Sequence, residues 1–228
     1  TGDVSISTGS SSVVPGEVRV AGGRASSNHP GSSVYVSSGN SIAQGGEIAA
    51  SSGSGAVGGN TLVKAGNGDQ TIGGSVIFEA GAGVGSGASI AVNSGSGKNG
   101  AGELNLSAGD SENNHAGRVS IFSGKSMEGT GGEIRLEGGA SQSGETGSVV
   151  IQSGSSVVSS GSVSVSTGAV QSGAAGDVSL VAGSGSLESA GGSVALSTGA
   201  GVFSGTTSVA SGLSDRAVGG KVELSGTA

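Results

Sequence analysis

The sequence predicts an all-β chain, specifically a parallel β-solenoid (β-helix) with about 29 residues per two-strand coil. Three observations lead there. Glycine supplies 51 of 228 residues while only 2 are proline, a balance that excludes the collagen triple helix. Hydrophobic residues make up 33% of the chain and fall in short alternating clusters, which a flexible Gly/Ser linker lacks. Finally, one octet, Gly-x-φ-x-φ-x-small-Gly with φ apolar, recurs from end to end.

The octets begin at positions 2, 16, 32, 46, 59, 74, 88, 102, 117, 132, 147, 161, 176, 192, 205 and 220, sixteen copies about 14.5 residues apart. Gly74-Ser-Val-Ile-Phe-Glu-Ala-Gly81 and Gly147-Ser-Val-Val-Ile-Gln-Ser-Gly154 are representative. Of the 32 φ sites, all but Ala50, Thr61 and Thr207 hold Val, Ile, Leu or Phe. Period-two alternation of branched residues between glycines is the pattern of a short half-buried strand, with octet positions three, five and seven on one side. The seventh residue is always small, as at Thr8, Ser38, Ala65, Ala108 and Thr198, which predicts a corner where backbones come close. The eighth is Gly except for Thr227, and a turn with positive φ would explain it.

Strands this short need stacked neighbours, so the core is expected between coils, held by inward residues such as Val36, Val76, Ile121, Ile151 and Val194. The connections are uniform and, at about six to eight residues, longer than the hairpins of an antiparallel barrel. Octets starting at 46, 74, 132, 192 and 220 open with paired glycines. Loops leading into such strands often carry one isolated apolar residue, Ile42, Met127, Val157, Leu187 or Val218, expected to plug a corner. That alternation sets the coil at two strands, one on each of two facing sheets. Eight coils would make a rod of roughly 38 Å, against roughly 77 Å for one-strand coils. Residues 1–228 are expected to be a single solenoid domain and, since both ends fall inside the repeat without a polar cap, a segment of a longer array.

The octets 2–9 (Gly-Asp-Val-Ser-Ile-Ser-Thr-Gly), 102–109 (Gly-Glu-Leu-Asn-Leu-Ser-Ala-Gly) and 192–199 (Gly-Ser-Val-Ala-Leu-Ser-Thr-Gly) resemble two groups of proteins. One is the Gly/Ser/Val-rich repeat proteins of diatom-like algal cell surfaces. The other is the β-helical shaft of filamentous-haemagglutinin-type adhesins, with its Gly-Asp-Val-x-Leu-x-Ala-Gly phrase. The resemblance covers nearly the whole chain, and the 14.5-residue spacing favours the algal group. It implies a secreted or surface-exposed structural role and carries over no catalytic residue.

Formal charge is −7 with no basic run, which argues against nucleic-acid and anionic-membrane partners. There is no Cys, hence no disulfide framework or thiolate metal site. No apolar stretch approaches the ~18 residues of a membrane span, so no membrane insertion is expected. Thr1-Gly2-Asp3 lacks the features of a signal peptide, and a secretion signal is expected to lie outside this sequence.

Catalysis needs convergent titratable groups. The 2 histidines, His29 and His115, occupy loops of one class about three coils apart, roughly 14 Å along a solenoid and too far to share a metal ion. Asp110 and Glu112 share a loop, whereas Asp69 and Glu128 stand alone. A glycosidase would need two carboxylates across a cleft and aromatics for the sugar, and only Tyr35, Phe78, Phe122 and Phe203 are aromatic. The run Gly66–Ile72 resembles in part a calcium-binding nonapeptide, but neighbouring loops lack the stacked aspartates. No catalytic, cofactor or metal site is therefore expected, and no enzyme.

What remains lies on the surface. Asn105-Leu106-Ser107 is an N-glycosylation sequon with Asn105 outward. Tyr35, Leu62 and Val150, joined by Phe122 and Val181 one step along, form a candidate lateral packing face. An ice-binding solenoid would repeat Thr along one face, whereas the corresponding rows here are irregular. The expectation is an extracellular or cell-surface structural protein, a stiff rod in a fibre, wall or appendage. Its partners would be further copies or other structural proteins, with an ice-binding or adhesive surface as the alternative.

Overall fold

The computed structural model describes residues 2–26, 29–186, 189–213 and 219–226. Among them there is no helix and no strand, so the all-β parallel solenoid, its 29-residue two-strand coil and the rod lengths derived from it are overturned. The chain divides into two units, Thr1–Gly117 and Arg118–Ala228.

Alternation of sides survives locally, around residues 135–137 and 221–223. In the octet 74–81 Val76 is 45% exposed, Phe78 71% and Ile77, on the other side of the alternation, 79%. The ion pairs Arg135–Glu137 (2.6 Å) and Lys221–Glu223 (2.9 Å) each join residues two apart, the spacing that shares a side only in extended backbone. What fails is pairing. A strand becomes sheet when a second backbone lies about 4.8 Å away, and no octet acquires that neighbour among the described residues.

The backbone makes short-range bonds instead. In eleven of the fifteen connections the N–H of an octet's first residue donates to the carbonyl of the preceding octet's eighth residue, at 2.8 to 3.1 Å. Gly46 to Gly39, Gly102 to Gly95 and Gly132 to Gly124 are examples. Each connection thus becomes a closed loop. Closing about eight residues rather than about 29 saves roughly 1 kcal/mol of chain entropy, and it occupies at each closure a donor that a ladder would have used.

The small seventh residue lies beside the first residue of the next octet. A Cβ placed on Gly46 would stand 3.2 Å from the Ser38 Cβ, and one on Gly117 3.0 Å from the Ala108 Cβ. The first residue of one octet therefore rests on the seventh residue of the octet before it. The six least exposed described residues are Ala65, Ala80, Ala108, Gly138, Ser153 and Ala182, and all six are seventh residues. The closure tolerates a side chain when the neighbours give way slightly, since Ser32 and Ala88 replace Gly at the first position and still donate to Gly23 and Gly81.

The expectation of positive φ at the eighth residue is also overturned. The one described glycine with positive φ is Gly173 (φ 105°), inside a loop, and most eighth-position glycines would meet nothing within 4 Å if given a Cβ. No feature of the described geometry demands glycine there.

Loops are shaped at their second residue. Where it is Ser, the hydroxyl accepts a backbone N–H two or three residues on: Ser41 from Ala43 (3.1 Å), Ser126 from Gly129 (2.8 Å), Ser141 from Gly144 (2.9 Å). Where it is Gly, as at Gly83 or Gly97, its Cα lies against a carbonyl of the same loop, of Ser86 or Gly100, leaving no room for a side chain.

No core forms. No described residue is buried, and the accessible surface of 22999 Å² compares with about 9,000 Å² for a compact protein of this mass and about 30,000 Å² for the unfolded chain. The expected core residues Val36, Val76, Ile121, Ile151 and Val194 are all exposed, and so are the expected plugs Ile42, Met127 and Val157. Leu187, Val218 and Thr227 lie outside the described residues.

Candidate functional site

Each sequence-derived surface residue stands in solvent. Tyr35 and Leu62 in the first unit, and Phe122, Val150 and Val181 in the second, are exposed, and no sheet aligns them into a face among the described residues. Asn105 is exposed, and the Ser107 hydroxyl of its sequon donates to the Ala108 carbonyl at 3.2 Å. His29 and His115 occupy separate exposed loops. Among the described residues no three His, Asp or Glu side chains gather where a metal could sit, and no helix is long and apolar enough to cross a membrane.

The structure does assemble one apolar concavity, which sequence reasoning missed. It lies in the first unit, has a volume of about 1030 Å³, and is lined by Val36, Ile48, Ile77, Phe78 and Ile90, with Glu79 at its edge. Octets 32–39, 46–53, 74–81 and 88–95 supply these residues, so segments about 42 residues apart meet here. No periodicity within a single octet signals that meeting. Val36, Ile48, Ile77, Phe78 and Ile90 are each more than half exposed, which makes the concavity an open, largely apolar surface.

A second feature is carried by four loops. Residues 10–15, 155–160, 169–175 and 200–204 connect octets without the closing hydrogen bond. Three of them contain two adjacent bulky apolar residues, Val13-Val14, Val157-Val158 and Val202-Phe203, which no closed loop does, while the fourth holds only Ala169-Val170, a pairing that closed loop 54–58 also has at Ala56-Val57. Branched side chains prefer extended backbone and resist tight turns, so a Val pair at the tip holds the loop open. The tips are bare, Val157 and Phe203 among the most exposed apolar residues described.

Charge follows the same division. Between residues 146 and 214 the only charged side chains are Asp177 and Glu188, in a chain with 25 charged residues. Three of the four open loops fall in this stretch. Compared with protein-family models, with curated proteins and with solved structures, the chain matches none.

Proposed function

We propose that this chain is a non-enzymatic extracellular structural protein that works by associating with further copies of itself. One observation carries the reading: sixteen near-identical octets whose described φ residues all face solvent, on a chain with more than twice the accessible surface of a compact protein. Exposed apolar surface on this scale marks an interaction surface. An array of equivalent octets lets any copy offer what another copy needs. The octets and the Ser- or Gly-shaped loops contain no cysteine and few aromatic residues, a composition that suits a bulk material.

The location outside the cell rests on composition and on the resemblance to surface repeat proteins. The stiffness expected of a ladder-bonded rod is not carried over, since it belonged to the solenoid. The ice-binding alternative gains nothing, because the fourth octet positions vary from Arg19 and Tyr35 to Leu62, Asn105 and Ser208.

Sedimentation velocity across a wide concentration range tests the association. A weight-average mass rising with concentration is expected, and 20.9 kDa at every concentration would overturn the reading. Antibody labelling of unpermeabilised cells tests the location.

A further inference from the structure

We propose that Asn99 is a site of spontaneous backbone rearrangement, its side chain closing on the Gly100 nitrogen so that the ageing chain acquires aspartate and isoaspartate there and loses the loop closure beside it. This stands independently of the self-association reading.

The chemistry starts from the residue pair. Of the nine asparagines only Asn67 and Asn99 precede glycine, the one residue with no Cβ to hinder attack by its own amide nitrogen. In the first step the Gly100 nitrogen forms a bond to the Asn99 Cγ and the Cγ–Nδ2 bond breaks. Nδ2 leaves as ammonia, taking the proton from the Gly100 nitrogen. The cyclic imide then takes up one water. Opening at one carbonyl gives aspartate, and opening at the other gives isoaspartate, in which the main chain runs through the side-chain carbon. Water is the only co-reactant.

The structure separates the two candidates. Asn99 and Gly100 are exposed in loop 96–101, and the Gly100 N–H donates to no carbonyl among the described residues. A Cβ placed on Gly100 would meet nothing within 4 Å, so this peptide unit has space to rotate into the attack geometry. The close contact of the loop falls elsewhere, between the Gly97 Cα and the Gly100 carbonyl. In loop 67–73 the reacting glycine itself is held, its Cα against the Ile72 carbonyl with no room for a side chain. Charge points the same way. The attacking nitrogen gives up its proton, which a nearby cation favours and a nearby anion opposes. Lys98 precedes Asn99, whereas Asp69 follows Gly68.

The consequence lies at the closure. The Gly102 N–H donates to the Gly95 carbonyl at 2.8 Å, across the loop that holds Asn99. Isoaspartate adds one carbon to the main chain of that loop, and the lengthened loop no longer sets the Gly102 N–H on its acceptor. Either product also makes the net charge of −7 more negative by one.

The test holds the full chain in warm, mildly alkaline buffer and follows each asparagine by peptide mapping with mass spectrometry, isoaspartate being resolved from aspartate by its elution. Asn99 is expected to convert at least about fivefold faster than Asn67, the factor that about 1 kcal/mol of local opening supplies. Gly100→Ala, whose Cβ the open space accommodates, should slow conversion several-fold while keeping the Gly102–Gly95 bond. In the aged chain the Gly102 amide is expected to exchange with solvent about fivefold faster, the loss of one ordinary hydrogen bond. In Asn99→Asp, which carries the charge without the extra carbon, it should exchange at the unaltered rate. Asn67 converting as fast as Asn99, or Gly100→Ala converting at the unaltered rate, overturns the site. An unchanged Gly102 amide in the aged chain, or a fast one in Asn99→Asp, overturns the lengthened loop as the cause of opening.

Discussion

Two stretches of the same repeat behave differently. From Gly23 to Gly147 all nine consecutive connections close with a hydrogen bond between the eighth residue of one octet and the first of the next. From Gly154 to Gly205 three of four stay open. The octets themselves scarcely differ. In three of the four open connections two adjacent bulky apolar residues stand where closed ones carry none, as Val157-Val158 in an open loop contrasts with Lys98-Asn99 in a closed one. A repeat that looks uniform by its octets is thus divided by its loops into a hydrogen-bonded, charged stretch and a nearly uncharged one with apolar tips. The difference lies in the connections rather than in the φ pattern, although closed loops too expose single apolar residues, as at Ile42, Val84 and Met127.

The comparison is broken most strongly by exchanging the loops. Replacing Lys98 and Asn99 by Val should open loop 96–101, and the Gly102 amide, now donated to Gly95 at 2.8 Å, should exchange with solvent about fivefold faster, the equivalent of one ordinary hydrogen bond. Conversely, Val157→Asn with Val158→Gly should close loop 155–160 and slow the Gly161 amide by a similar factor. Amide exchange by NMR reads both. Equal rates before and after would show that the paired residues do not control closure.

A smaller contrast comes from the first octet position. Gly117→Ala places a Cβ 3.0 Å from both the Ala108 Cβ and the Gly109 nitrogen, while Gly16→Ala meets nothing nearer than 3.5 Å. The first substitution should weaken its closure by up to about 1 kcal/mol, the second should leave the spectrum of its loop unchanged. Equal responses would refute the packing of first on seventh residues.

Smaller again is Ser126→Ala, which removes the acceptor of the Gly129 N–H at 2.8 Å. A local loss of about 0.5–1 kcal/mol is expected, visible as faster exchange at Gly129 and little change at Gly132. The smallest effect should come from Glu137→Gln. The Arg135–Glu137 pair is short, at 2.6 Å, but its side chains are 72% and 65% exposed, and such pairs contribute between 0 and about 1 kcal/mol, screened by salt.

The strands expected of the octets do not form among the described residues, whereas the partial covering of Ala65, Ala108 and Ala182 follows the rule that the seventh residue is small. The partner was misassigned: the seventh residue packs on the next octet's first Cα, not against a facing coil. The positive φ assigned to the eighth residue followed from glycine's permissiveness, which allows such a conformation but does not require it. Neither the open tip at Val202-Phe203 nor the concavity around Phe78 was visible. The first depends on loop closure, the second on octets about 42 residues apart coming together.

By itself the sequence determined the period, the alternation, the small seventh residue and the uneven charge, all set within a few neighbouring residues by sterics and side-chain chemistry. Only the tertiary structure decided whether octets pair, which connections close and where apolar side chains converge. Pairing brings together residues far apart in the chain and must overcome loop entropy, whereas a closure over six to nine residues meets a nearby carbonyl first. Among the described residues the octets therefore remain unpaired, their apolar side chains open to solvent.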